Sequence, residues 1–135
     1  MQLGRRFRAL KAWMVLRAFG QAGIAARIRE HCRLAEWLGA RIAAEPEWAL
    51  ATPVSMSVVC FSHAPPGVTP DEQDVHNAAV VAAVNASGAG YLTHSVLGGR
   101  TVMRIGLGNL LTTEAHVGAV WEQVLAEARR AGGAR

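Results

Sequence analysis

Gly98-Gly99 stands between two runs that alternate apolar with polar residues, 91–97 and 100–107. A two-residue glycine link supplies the positive φ that tight hairpin turns require, so these runs form an antiparallel β-hairpin. One further strand is legible: residues 54–61, VSMSVVCF, which follow Pro53 and end in a continuous apolar stretch with at least one buried face. Between strand and hairpin, residues 63–70 hold three prolines and a glycine and form a loop. Thr69, Pro70 and Glu72 then spell a helix start, with Thr as N-cap, Pro at the first helical position and Glu at the third. That helix runs to about Ser87, where Gly88-Ala89-Gly90 stops it. Thr112 or Thr113 caps a last helix with Val117, Val120, Trp121, Val124 and Leu125 on one side, and the chain frays from Arg129 onward.

The N-terminal part reads as two helices. Phe7, Leu10, Met14 and Ala18 recur at helical spacing, with Arg5, Arg6, Arg8, Lys11 and Arg17 around them, and Gly20 and Gly23 end the run near Phe19. A second helix carries Ile24, Ile28, Cys32, Ala35, Leu38 and Ile42 on one face and Arg27, Glu30, Arg33 and Arg41 off it, until Pro46. The expected fold is therefore α+β: two N-terminal helices followed by a β-α-β-β-α domain whose three-stranded antiparallel sheet is covered by helices on one face. The chain has 135 residues, 51% of them apolar, which is enough for one core.

Charge narrows the function. Residues 1–41 contain nine of the fourteen basic residues and two acids, Glu30 and Glu36, so the net charge of +4 is concentrated there. The cations are mostly arginines dispersed among Trp13, Leu16, Ile24 and Ile28, which fits a protein interface or an anionic ligand as well as it fits nucleic acid. No apolar run reaches the roughly 20 residues that span a bilayer, and no signal-type segment follows the first arginines. Cys32 and Cys60 lie far apart in apolar surroundings and read as buried reduced thiols, in keeping with a cytoplasmic protein.

Candidate chemistry is sparse. His31, His63, His76, His94 and His116 show no metal-ligand spacing within one element. Cys60 has no base near it in sequence, and Gly106-Leu107-Gly108 lacks the third glycine of a dinucleotide turn. Schiff-base chemistry needs a lysine, and the sequence has one, Lys11, in mid-helix. Arg104 sits mid-strand among Val102, Met103 and Ile105, so a carboxylate, backbone carbonyls or the sheet rim must satisfy its charge.

The opening LGRRFRALKAWMVLRAFG, with Gly23-Ile24, Ile28-Arg29-Glu30-His31 and Ala35, resembles the C-terminal part of the group II pyridoxal-phosphate-dependent decarboxylases, and within them the aromatic-L-amino-acid decarboxylases. Weaker matches follow in order: Val59-Cys60-Phe61, the helix exit from Asn85 to Leu92, Met103-Arg104-Ile105, Asn109, Thr112-Thr113 and His116-Val117 with Trp121. The resemblance implies the end of a large cofactor domain, residues 1–52, and a small C-terminal α+β domain, residues 53–135, of a fold-type I enzyme. It also implies pyridoxal phosphate as cofactor, an amino acid as substrate and a homodimer, with neither nucleic acid nor membrane as partner. By the same resemblance the Gly4 backbone lies near the cofactor phosphate of the partner subunit and Leu3 near its substrate pocket; glycine suits close backbone approach to an anion.

The cofactor lysine of the family, its preceding histidine, the aspartate on the pyridine nitrogen and the stacking histidine belong to a part upstream of these motifs. Lys11 does not match that lysine, and Ser62 stands where many relatives have arginine. The expectation is a C-terminal portion that is inactive alone and needs the missing large domain. Two alternatives rest on the residues: a stand-alone α+β dimerisation or anion-binding module using Arg5, Arg6 and Arg8, and a nucleic-acid binder with strongly salt-dependent affinity. A portion should leave the Leu10, Trp13 and Leu16 surface without its large-domain cover and so associate or aggregate when expressed alone, whereas a true module should be a soluble monomer or a discrete dimer.

Overall fold

The computed structural model describes residues 8–133. Its elements are α1 (Arg8–Ala44), β1 (Trp48–Leu50), β2 (Val58–His63), α2 (Pro70–Ser87), β3 (Thr93–Leu97), β4 (Arg100–Gly106) and α3 (Glu114–Gly133). They fall into two compact units, residues 1–30 and 31–135.

In the first unit α1 is broken once, at Gly20, whose φ of 63° and ψ of 174° lie outside helical space. The two expected helices are thus two runs abutting across one residue. Gly23 does not end a helix; it remains in it, and only Gly20 takes the conformation that glycine alone tolerates. The guanidinium of Arg27 lies 4.2 Å from the Phe19 ring centre, a cation–π contact spanning the break.

The second unit contains a four-stranded antiparallel sheet in the order β1-β2-β4-β3, where three strands were expected. The missed strand pairs Trp48 with His63, Ala49 with Ser62 and Leu50 with Phe61. Three residues carry no readable alternation, and β1 exists because the edge of β2 is free to accept it. β2 itself starts and ends later than expected. Residues 55–58 close a tight turn, with Ser55 and Val58 exchanging backbone bonds and Met56 at a φ of 53°. The hairpin of β3 and β4 is as expected, with Leu97 opposite Arg100 and φ positive at both Gly98 and Gly99.

One sheet face is dry. Val59 lies opposite Ile105 and Phe61 opposite Met103, and all four are buried. Onto this face pack Val80, Val81 and Val84 of α2 and Val117, Trp121, Val124 and Leu125 of α3. The capping box at Thr69 and Glu72 is present, with Pro70 opening α2 and Gly88 closing it in the left-handed conformation. α3 starts on an analogous box: the Thr113 backbone N–H donates to His116 Nδ1 at 3.2 Å and the His116 N–H donates to Thr113 Oγ1 at 3.4 Å. Its end does not fray at Arg129. The helix continues to Gly133 because Ala128 is buried and Ala131 packs on the core.

From residue 31 onward α1 contributes Leu34, Ala35, Leu38 and Ile42 to the same core. Leu34, absent from the expected stripe, is fully buried, while Ile28 in the first unit is exposed. This stretch lies parallel to α3. Arg33 meets Glu114 at 2.9 Å and Arg41 meets Glu122 at 3.2 Å, both at an offset of 81 residues, and Trp37 reaches over Gly118 between them. The two ion pairs are exposed and worth at most about 1 kcal/mol each, so they set register more than stability.

Gly39 is where α1 approaches the turn most closely. A Cβ there would lie 2.5 Å from Val54 Cγ2. Gly39→Ala gains about 1 kcal/mol of helix propensity but costs roughly 1–3 kcal/mol in overpacking. A lower denaturation midpoint is expected, and Gly39→Ala with Val54→Ala should cost less than the sum of the two single changes.

Candidate functional site

Leu3, Gly4, Arg5 and Arg6 lie outside the described residues. Lys11 is exposed on α1, as are Leu10, Trp13 and Leu16, the last two by more than half. These positions present an amphipathic helical surface in the first unit rather than a concave site.

The most constructed polar cluster lies in the second unit, where β2 ends. The ladder between β2 and β4 stops at Phe61 and Met103. Beyond it Asn77, fully buried on α2, enters the opening: the His63 backbone N–H donates to Asn77 Oδ1 at 3.1 Å, and Asn77 Nδ2 donates to the Thr101 carbonyl at 3.2 Å. Asp74, one turn earlier, accepts the Thr101 N–H at 2.7 Å. Two side chains of α2 thus satisfy both backbone groups of Thr101 where the neighbouring strand does not.

The same register brings two histidines together. His63 Nδ1 and His76 Nε2 share a hydrogen bond of 2.8 Å, and both residues are buried. On the other side of the ring, His63 Nε2 lies 3.4 Å from a Glu47 carboxylate oxygen. Trp48 stacks on His63 at 4.4 Å and meets Trp121 edge-on at 4.8 Å. Burial pushes the His63 imidazole below the usual histidine range, and the Glu47 carboxylate opposes that shift. Sequence spacing pointed to no such pair, because His63 ends a strand and His76 sits inside a helix. Glu47, His63 and Trp48 line a cleft of about 510 Å³ with Glu45, Pro65 and Arg129.

The remaining candidates have structural partners. Arg104 lies on the open side of the sheet and donates from Nε to Thr93 Oγ1, its cross-strand neighbour, at 3.1 Å. Cys32 and Cys60 are free thiols, each half-buried. A second cleft, of about 370 Å³, is lined by Gly90, Tyr91, Asn109, Thr112, His116 and Val120. There His116 is engaged in the α3 cap, and Asn109 accepts from His31 Nε2 through its carbonyl at 3.2 Å. Among the described residues no group of three or more histidine, cysteine or acidic side chains could hold a metal ion.

Nor do the described residues fit a complete pyridoxal phosphate site. Lys11, the one lysine of the sequence, stands exposed on a helix, and the buried histidines bond to each other.

Comparison with known proteins gives these features a context. Residues 1–64 match the pyridoxal-dependent decarboxylase conserved domain. Tryptophan decarboxylase 2 of Oryza sativa subsp. japonica is 39% identical over 128 residues, covering 95% of this chain and 26% of that protein. Tyrosine decarboxylase 2 of Arabidopsis thaliana is 38% identical over 122 residues, covering 90% and 22%. The crystal structure of Oryza sativa TDC with PLP and tryptamine superposes with a TM-score of 0.84 at 30% identity, covering 96% of this chain and 28% of that one. The chain spans about a quarter of the length of the curated relatives it matches. Over the part of their length that it spans, this chain is similar to the pyridoxal-dependent decarboxylases.

Proposed function

We propose that this chain is the C-terminal portion of a pyridoxal-phosphate-dependent carboxy-lyase for aromatic L-amino acids, cytoplasmic and homodimeric when complete. Alone it is inactive. The observation that carries this reading is the asymmetry of coverage: at least 90% of the chain aligns with tryptophan and tyrosine decarboxylases, yet it accounts for about a quarter of them. The absence of any lysine but Lys11 supports the second statement, since the cofactor needs a lysine in a pocket rather than on an exposed helix.

In this reading residues 1–52 complete the large cofactor domain and residues 53–135 form the small domain. Gly4 would approach the cofactor phosphate of the neighbouring subunit and Leu3 its substrate pocket. Leu10, Trp13 and Leu16 would be covered by the large domain, which accounts for three large apolar side chains exposed on one helix.

Carbon dioxide release from tryptophan, tyrosine and dihydroxyphenylalanine, measured with added pyridoxal phosphate, tests the proposal. No release above the cofactor-only control is expected from the chain alone, together with self-association on gel filtration. Turnover by the isolated chain would overturn its inactivity. A discrete, soluble monomer would favour the stand-alone module.

A further inference from the structure

The outer side of β3 has no part in the proposed function. Thr101 turns both of its backbone groups away from β3, since its N–H bonds to Asp74 and its carbonyl to Asn77. Its cross-strand neighbour Val96 is therefore in a non-hydrogen-bonded pair, and the Val96 N–H and C=O point out of the sheet. Two residues earlier the same alternation turns those of His94 outward. β3 ends the strand order β1-β2-β4-β3, so these four groups meet no further strand. The edge also carries none of the devices that keep sheets apart: residues 93–97, THSVL, include no proline, lysine or acid, and they pair with β4 without a bulge. Val96 is 67% exposed and Leu97 38%. By contrast β1, at the other edge, is only three residues long. His94 and Val96 face the helix side of the sheet, because His94 lies opposite the buried Met103. On α2, Ala78 and Ala82 follow Asp74 by one and two turns, so beyond Asp74 the flank above this edge presents methyl groups and leaves room for a neighbour.

We propose that β3 is a self-association edge, on which a second copy of this chain adds its own β3 antiparallel about Ser95 and extends the sheet to eight strands.

The outward groups dictate that register. His94 of each copy comes opposite Val96 of the other, the two hydrogen-bonded pairs close with four N–H···O bonds, and no outward group is left over. A two-fold axis normal to the sheet relates the copies and keeps the helices of both on one side. Charge favours the same arrangement. Across the junction a row runs from Thr101 through Val96 to His94 of the second copy, so that imidazole approaches Asp74 beside Thr101 and the acidic first turn of α2, Asp71 and Glu72. About 17 Å of strand with the α2 flank beside it buries on the order of 1,000 Å² in total, at the lower limit for a specific interface, so the dimer is reversible.

Disulfide trapping in the 135-residue chain tests the pairing. Ser95 of one copy lies opposite Ser95 of the other in a non-hydrogen-bonded pair, with Cα atoms about 4.5 Å apart, a distance that a disulfide spans. Thr93 likewise lies opposite Leu97. In a glutathione redox buffer, with links assigned by mass spectrometry of peptides, Ser95→Cys is expected to cross-link to itself on the order of tenfold more than Thr93→Cys or Leu97→Cys does alone. A mixture of those two variants should link position 93 to position 97. Links through Cys32 or Cys60 are told apart by peptide mass. Val96→Pro removes an outward N–H that β4 does not use, and should cut the link at position 95 by a similar factor while circular dichroism stays unchanged. Equal trapping at 93, 95 and 97, or trapping at 95 that survives Val96→Pro, overturns the proposal. Should Val96→Pro not fold, the mixture decides, and absence of the 93-to-97 link overturns the pairing. Association on gel filtration without the link at 95 also overturns it; that association belongs to Leu10, Trp13 and Leu16 and leaves the proposed function standing.

Discussion

Asn77→Leu should lower the unfolding free energy of the second unit by about 2–5 kcal/mol, a large part of the roughly 5–15 kcal/mol that holds a domain folded. Leucine shares the branching and heavy-atom count of the asparagine side chain and is the bulkier of the two, so the loss comes from hydrogen bonding, with some overpacking, rather than from a cavity. The His63 N–H and the Thr101 carbonyl lose their partners in the gap between β2 and β4. Each group left buried and unsatisfied costs about 1–3 kcal/mol. Asn77→Asp preserves the acceptor for His63 but removes the donor to Thr101 and adds a buried charge, so it should be no better tolerated. Urea denaturation followed by circular dichroism measures both. An Asn77→Leu midpoint within experimental error of the parent would mean that the two strands close over the gap without the amide.

Trp121→Ala should cost a further class of energy, about 3–5 kcal/mol, through loss of buried area and the cavity left behind. Trp121 is fully buried at the centre of an aromatic group, edge-on to Trp48 at 4.8 Å and to Phe61 at 5.9 Å. Its indole Nε1–H has no hydrogen-bond partner among the described residues. An unsatisfied donor in that position already lowers stability, so Trp121→Phe should be markedly milder than Trp121→Ala: it removes the donor and keeps a ring against Trp48. Equal losses for the two variants would show that a ring retained at position 121 contributes nothing to the balance. Because Trp48 also stacks on His63, Trp121→Ala should in addition loosen the β1 edge.

The elements legible in the sequence are those whose hydrogen bonds close within a few residues. Thr69, Pro70 and Glu72 cap α2 because the reciprocal bonds span three positions, and Gly98-Gly99 turns the hairpin because positive φ is a local property. The family resemblance was legible for a related reason, resting on a contiguous motif at the start of the chain. Gly20 shows the limit of such reading, since it and Gly23 look alike in sequence and only one leaves the helix.

The tertiary structure decided the rest. β1 is a strand because the edge of β2 was open, Leu34 is core because α1 lies parallel to α3, and α3 reaches Gly133 because Ala128 and Ala131 find apolar cover. The Glu47–His63–His76 cluster joins a turn, a strand and a helix, and Asn77 fills a gap in a ladder whose strands are some forty residues apart, on the order of a whole supersecondary unit. Composition and periodicity fix which faces are apolar and where the chain turns. Which buried polar groups meet depends on where the packed elements end relative to one another, and that offset is set by the fit of side chains in a close-packed core.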